Sequence, residues 1–233
     1  MRQPSIALIG FVFASWLVSA QGLARADDDE LAKAKTATIT QMRELVLGLL
    51  YHHDTFKRFP APALVDKEDK PLLSWRVRLL PFIGQADLYS EFHLDEAWDS
   101  EHNKALIPKM PALYKCPRSK LGDDYRTVYL VPSGEETMFP GPKGLNLRSI
   151  LDGTSRTIAV IEVDDEHAVV WSRPEDWKFD PADPTAGLGG HFPDVFMAAA
   201  ADGSVHAMPM TIDKDILEGL LTRAGREQVK FPD

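Results

Sequence analysis

With 35 acidic against 26 basic side chains in 233 residues, a formal net charge of −9, the chain presents a surface that repels phosphate backbones and anionic lipid heads. Nucleic-acid binding is disfavoured unless the basic residues cluster. A single cysteine, Cys116, excludes an intrachain disulfide, so stability rests on packing; a buried, inert thiol is the plain reading, with intermolecular pairing or reactivity as the alternatives.

At the N-terminus, Arg2, the apolar run Ile6 to Ala20 and the small-x-small triplet Ala24-Arg25-Ala26 have the form of a secretory signal. The run falls short of the roughly 20 residues that a permanent membrane-spanning helix needs. Cleavage before Asp27 is therefore expected in preference to a retained anchor. Residues 1–26 are read as the signal peptide and residues 27–233 as one domain, a length suited to a single core. Loss of Arg2 and Arg25 moves the net charge to −11.

From Glu30 to Phe56 the apolar residues Ile39, Met42, Leu45, Val46, Leu49, Leu50 and Phe56 recur at helical spacing, with Asp27, Asp28, Asp29 and Glu30 suited to the positive end of the helix dipole. The helix is expected to end before Pro60. Pro60 to Pro71 reads as a loop. Ser74 to Leu80 and Gln85 to Phe92 read as short helices split by Pro81 and Gly84. The stretch from Trp98 to Cys116 reads as irregular with one short helix.

Strands are expected at Thr127 to Val131, Thr157 to Val163, Ala168 to Trp171, Val195 to Ala200 and Ser204 to Met208. Asp202-Gly203 predicts a two-residue hairpin loop, and Asp152-Gly153 a turn that introduces the strand at Thr157. A last helix from about Asp213 is expected to bury Ile216, Leu217 and Leu220 and to stop at Gly225. A long helix followed by a meander of short strands, with small accessory helices, is an α+β arrangement.

Several stretches taken together carry a resemblance: RELVLGLLYHHDTFKRFPAP, SWRVRLLPFIGQADLYSEFHLDEAWDS, MPALYKCPRS, ILDGTSRTIAVIEV, WSRPEDW and ADGSVHAMP. From Arg43 to the C-terminus the chain resembles the planctomycete-type domain of unknown function 1559, which usually follows a prepilin cleavage and methylation segment. The resemblance implies a pilin-like fold, a long N-terminal helix packed on an antiparallel sheet, and implies no activity, cofactor or catalytic residue. Two departures stand out. Asp27, Asp28, Asp29, Glu30, Lys33 and Lys35 replace the apolar stalk of relatives, and each such charge costs roughly 2.5 to 3.5 kcal/mol at mid-bilayer. Arg226 stands where relatives commonly carry glycine before the glutamate at Glu227.

Candidate chemistry is sparse. His52-His53-Asp54 offers metal-ligand types, but neighbours on a helix point about 100° apart, so a partner such as His191 or Asp194 would have to complete a site. A packing role at the helix end is favoured. Asp152, Gly153, Asp202 and Gly203 read as structural turns, with calcium binding the alternative. Ser155 or Ser204 lacks the nucleophile elbow of a hydrolase, and Gly187, Gly189 and Gly190 lack the context of a dinucleotide fingerprint. Trp171, Arg173, Glu175, Asp176 and Trp177 form the best candidate interaction surface, an aromatic pair beside charge; of these Trp171 leans to the core, Trp177 is left open between core and surface, and the Glu175-Asp176 carboxylates are most simply solvated.

Two functions follow as expectations. The first is an exported, non-enzymatic pilin-like module, periplasmic or extracellular, without cofactor or stable membrane span, that meets an envelope or extracellular protein. The second is a periplasmic module binding a carbohydrate or a divalent cation through Trp177 or the carboxylates of Asp164 to Glu166 and Asp180 to Asp183. A hydrolase ranks third.

Overall fold

The computed structural model describes residues 10–232, with side chains of the first helix from residue 25 onward. Arg2 and the start of the apolar run lie outside the described residues. Helix α1 (Gly10–Phe56) ends where Lys57 takes a left-handed φ of 58°, three residues before Pro60, as the chain pattern requires. Lys57 Nζ turns back to the Asp54 carbonyl at 2.6 Å. The described residues up to Ala37 form one unit, in which Asp27, Asp28, Asp29, Glu30, Lys33 and Lys35 are exposed. Among the described residues no helix is long and apolar enough to cross a membrane.

The described residues from Thr38 onward form the second unit. Met42, Leu45, Val46 and Leu49, spaced three and four apart, are wholly buried, and Gln41 on the same segment accepts a hydrogen bond from the Tyr129 hydroxyl at 2.9 Å. The main sheet has the order β4-β5-β7-β8, all antiparallel, built from Tyr129–Leu130, Ile158–Glu162, Val195–Ala200 and Val205–Pro209. Every residue of β5 is buried, without the alternation of a half-solvated strand, so both faces of this sheet are covered. The protein is therefore α+β: a long N-terminal helix, antiparallel sheets and short helices.

The meander expectation needs correction. The segment read as one strand, Thr127 to Val131, divides at Val128 into β3 (Arg126–Thr127) and β4, which belong to different sheets; β3 pairs with β6 (Val169–Val170). Thr127 Oγ1 accepts from the Tyr129 amide across this break. Pro60 to Pro71 is more than a loop. It contains β1 (Ala63–Val65), paired antiparallel with β2 (Pro71–Ser74). Three-residue apolar patches flanked by prolines are too short to display alternation, and the connection is closed by Asp66 Oδ1, which accepts from the amides of Glu68 and Lys70.

Ser74 caps α2 (Trp75–Leu79), and α3 (Ala86–Glu91) follows the left-handed Gly84. A third short helix, α4 (Glu101–Lys104), is the one expected in the irregular stretch. Helix α5 (Lys214–Leu221) is capped by Asp213, as expected, but stops at Thr222, which is extended, and leaves Ile216 37 % exposed. The loop between β7 and β8 holds three residues, Ala201, Asp202 and Gly203, because Ala200 N–H pairs with Ser204 C=O. Only Gly203 needs positive φ there (90°), the arrangement of a turn closed by a glycine bulge.

Candidate functional site

The segment Trp171–Trp177 is organised by an arginine from elsewhere. Arg76 lies in an apolar run, Leu72-Leu73-Ser74-Trp75-Arg76-Val77, and α2 carries it to a fully buried position. Its Nη1 meets Asp176 Oδ1 at 2.8 Å, Nε donates to the Trp171 carbonyl (2.9 Å) and Nη2 to that of Glu175 (2.8 Å). Trp75 Nε1 and the Val131 amide also donate to Asp176 Oδ1. A buried ion pair depends on further hydrogen bonds to offset its desolvation, and here Asp176 Oδ1 receives three donors while the guanidinium reaches two backbone carbonyls. Burial raises the Asp176 carboxyl to about 6, with Arg76, Trp75 and Val131 restraining it, and burial lowers the guanidinium.

This lattice corrects the expected interaction surface. Trp171 is wholly buried, its indole N–H donating to the Ile107 carbonyl and its ring stacked on Tyr114. Trp177 is 6 % exposed and donates to the Ala186 carbonyl. The Asp176 side chain is 3 % exposed, not solvated. Arg173 and Glu175 alone reach the surface, paired at 2.8 Å, with the guanidinium over the Trp98 ring. A tryptophan pair already committed to the core offers no stacking platform for a sugar.

Above the Arg76–Asp176 lattice lies an open cleft of about 1000 Å³, between the β1–β2 hairpin and the β3–β6 pair. Val65, Pro71, Leu130 and Val169 give it an apolar lining, while Arg173, Glu175 and Lys178 supply charge and His167 a polar edge. Its own hydroxyl and imidazole are occupied separately: Ser133 Oγ donates to Trp177 C=O, and His167 Nδ1 lies 2.8 Å from Asp164 Oδ1.

The other predicted residues scatter. His52 is buried and donates to the Arg58 carbonyl; its ring packs on Phe56 and Phe82, and burial lowers its pKa. His53 accepts from the Leu147 amide, and Asp54 is exposed beside Lys57. The three diverge into separate surroundings, so the helix-end packing role stands and a shared ion does not. Asp152 departs from the expected local turn: its two oxygens accept from the consecutive amides of Gly225 and Arg226, both at 2.8 Å, pinning the C-terminal segment. Asp202 Oδ1 accepts from the amide and hydroxyl of Ser204. Asp180 Oδ1 holds the Ala182 amide, and Asp164 that of His167, so these loop carboxylates serve their own turns.

Ser204, His206 and Asp202 do converge, with Ser204 Oγ 2.7 Å from Asp202 Oδ1 and 3.0 Å from His206 Nε2. The order of bonds is wrong for nucleophile activation, since the carboxylate accepts the serine hydroxyl's hydrogen bond instead of orienting the imidazole. His206 stacks on Phe231, burial lowers its pKa, and none of the three lines the large cleft.

A different set of residues is brought together only by the fold. Cys116, Glu162 and His191, all buried, offer three ligand atoms within 4.8 Å of one another. They are 46 and 29 residues apart along the chain and no spacing rule connects them. The one available signal was Glu162, an acid terminating the apolar run Ile158-Ala159-Val160-Ile161.

Residues 35–136 match the family described as "Protein of unknown function (DUF1559)". No curated protein and no solved structure matches the chain.

Proposed function

Over residues 35–136 the chain belongs to the DUF1559 family, and from that premise we propose that it is an exported, non-enzymatic module of pilin-like architecture that works by contact with another protein of the envelope or exterior. The observation that carries this reading is the open cleft between two short strand pairs. Its apolar floor and charged rim are what a protein segment fills, and its serine and histidine are each bonded elsewhere. Burial of both tryptophans removes support from the carbohydrate alternative.

Export is part of the same proposal. It rests on the signal-like N-terminus and on the exposed charges Asp27 to Glu30, Lys33 and Lys35, which are suited to water and would cost roughly 2.5 to 3.5 kcal/mol each in a bilayer core. A photo-crosslinking amino acid in place of Lys178, on the cleft rim, should trap one reproducible protein partner in envelope preparations from producing cells. The same group in place of the exposed Glu218 on α5 serves as the control. Equal trapping from both positions, or none from the cleft, would overturn the assignment.

A further inference from the structure

We propose that Cys116, Glu162 and His191 form a buried site for a divalent transition metal of the zinc type. Cys116 follows a single helical turn at Ala112–Tyr114, Glu162 ends β5, and His191 lies in the loop before β7. Sγ of Cys116 is 3.5 Å from Glu162 Oε1, and Nδ1 of His191 is 3.3 Å from the same oxygen. Bonds of about 2.0 to 2.3 Å at tetrahedral angles place ligand atoms roughly 3.3 to 3.7 Å apart, so both separations are edges that a tetrahedral ion would produce.

His191 Nδ1 is the independent observation that points to a ligand. The side chain is 3 % exposed, and although Nδ1 is near Glu162, its direction misses the oxygen, leaving it without a hydrogen bond. The opposite ring nitrogen, Nε2, lies 3.0 Å from Asp165 Oδ1. With the proton on Nε2, the Nδ1 lone pair lies beside a carboxylate without a donor to share, an arrangement that a cation bound to both resolves. A carboxylate behind a ligating imidazole is the usual support of such a ligand. Asp165 is in turn fixed by Ser119 Oγ and the Lys120 amide, and Glu162 Oε2 by the Met197 amide, while Oε1 accepts from the Cys116 thiol, whose proton the ion would replace.

Charge and access are also satisfied. A thiolate, a carboxylate and a neutral imidazole sum to −2, which a divalent ion neutralises inside the core. Binding releases the thiol proton and, where the imidazole is charged, a second one. Cys116 also lines a cleft of about 240 Å³, so one of the three ligands borders open space. The competing arrangement is metal-free: a charged His191 bridging Glu162 and Asp165, to which both acids contribute by outweighing the effect of burial and raising the imidazole pKa.

Titration of the metal-freed protein with Co(II) distinguishes the two. The site predicts one ion per chain and a sulfur-to-cobalt charge-transfer band. Cys116→Ser should abolish the band while cooperative unfolding persists, and Asp165→Asn should keep the band but weaken binding roughly 10- to 100-fold. Zn(II) should displace the cobalt and raise the melting temperature of the wild type, not of Cys116→Ser. A folded protein that shows no stoichiometric binding establishes the metal-free bridge and overturns the proposal. Binding without the band, unchanged in Cys116→Ser, places the ion elsewhere and overturns it as well.

Discussion

Replacing Arg76 with methionine removes the centre of the lattice beneath the cleft while roughly preserving side-chain length. Four contacts vanish: the 2.8 Å pair with Asp176, the hydrogen bonds to the carbonyls of Trp171 and Glu175, and a longer one to that of Arg173 at 3.5 Å. Asp176 keeps its Trp75 and Val131 donors but loses its counter-charge in a buried position. Breaking such a pair from one side costs roughly 3 to 5 kcal/mol, which for a domain of this size lowers the melting temperature by roughly 6 to 20 °C. The loss should depend on pH. Burial already raises Asp176 to about 6 in the intact lattice, above its unfolded value, so its stabilising contribution is present at low pH and lost as pH rises through 6. Without the guanidinium the carboxyl rises further, so the variant is penalised more at pH 8 than at pH 5. Urea unfolding at both values, followed by tryptophan fluorescence, measures this, since Trp75 and Trp171 sit in the lattice. Adding Asp176→Asn should recover stability at pH 8. A loss below about 1 kcal/mol, the level of an exposed pair, or an equal loss at both pH values, would refute the reasoning.

Two further substitutions probe the C-terminal clamp. Asp152→Ala removes both carboxylate bonds to the amides of Gly225 and Arg226 and should cost about 2 to 4 kcal/mol, with those two amides losing protection in hydrogen exchange. Arg226→Gly relieves a non-glycine φ of 65° and should raise stability by up to about 1 kcal/mol in the same unfolding assay; a loss would show that the exposed arginine side chain has a stabilising contact.

What was legible in the chain was local. The apolar stripe of Met42, Leu45, Val46 and Leu49 announces a helix face because 3.6-residue periodicity needs no tertiary information. Val195 to Ala200 and the glycine of Asp202-Gly203 announce a hairpin for the same reason. The resemblance read from Arg43 to the C-terminus is supported over residues 35–136. The departure at Arg226 also acquires a physical meaning, since the backbone there takes the left-handed conformation that glycine favours. The division of Thr127 to Val131 between two sheets was not legible, because it depends on which strands flank each half. Nor was the fate of Trp171, Asp176 and Trp177. Trp171 and Asp176 are held by Arg76, about a hundred residues away, and Trp177 by the Ala186 carbonyl, and a charge inside an apolar run does not say which acid will meet it. Cys116, Glu162 and His191 escaped for the same reason, being joined only by the fold.

Most direct for the proposed export is the N-terminal residue of the protein in producing cells, determined together with the cell fraction that holds it. The account predicts a chain beginning at Asp27 in a soluble exported fraction, its acidic first turns in water. A chain that begins at Met1 and sediments with membranes would contradict it.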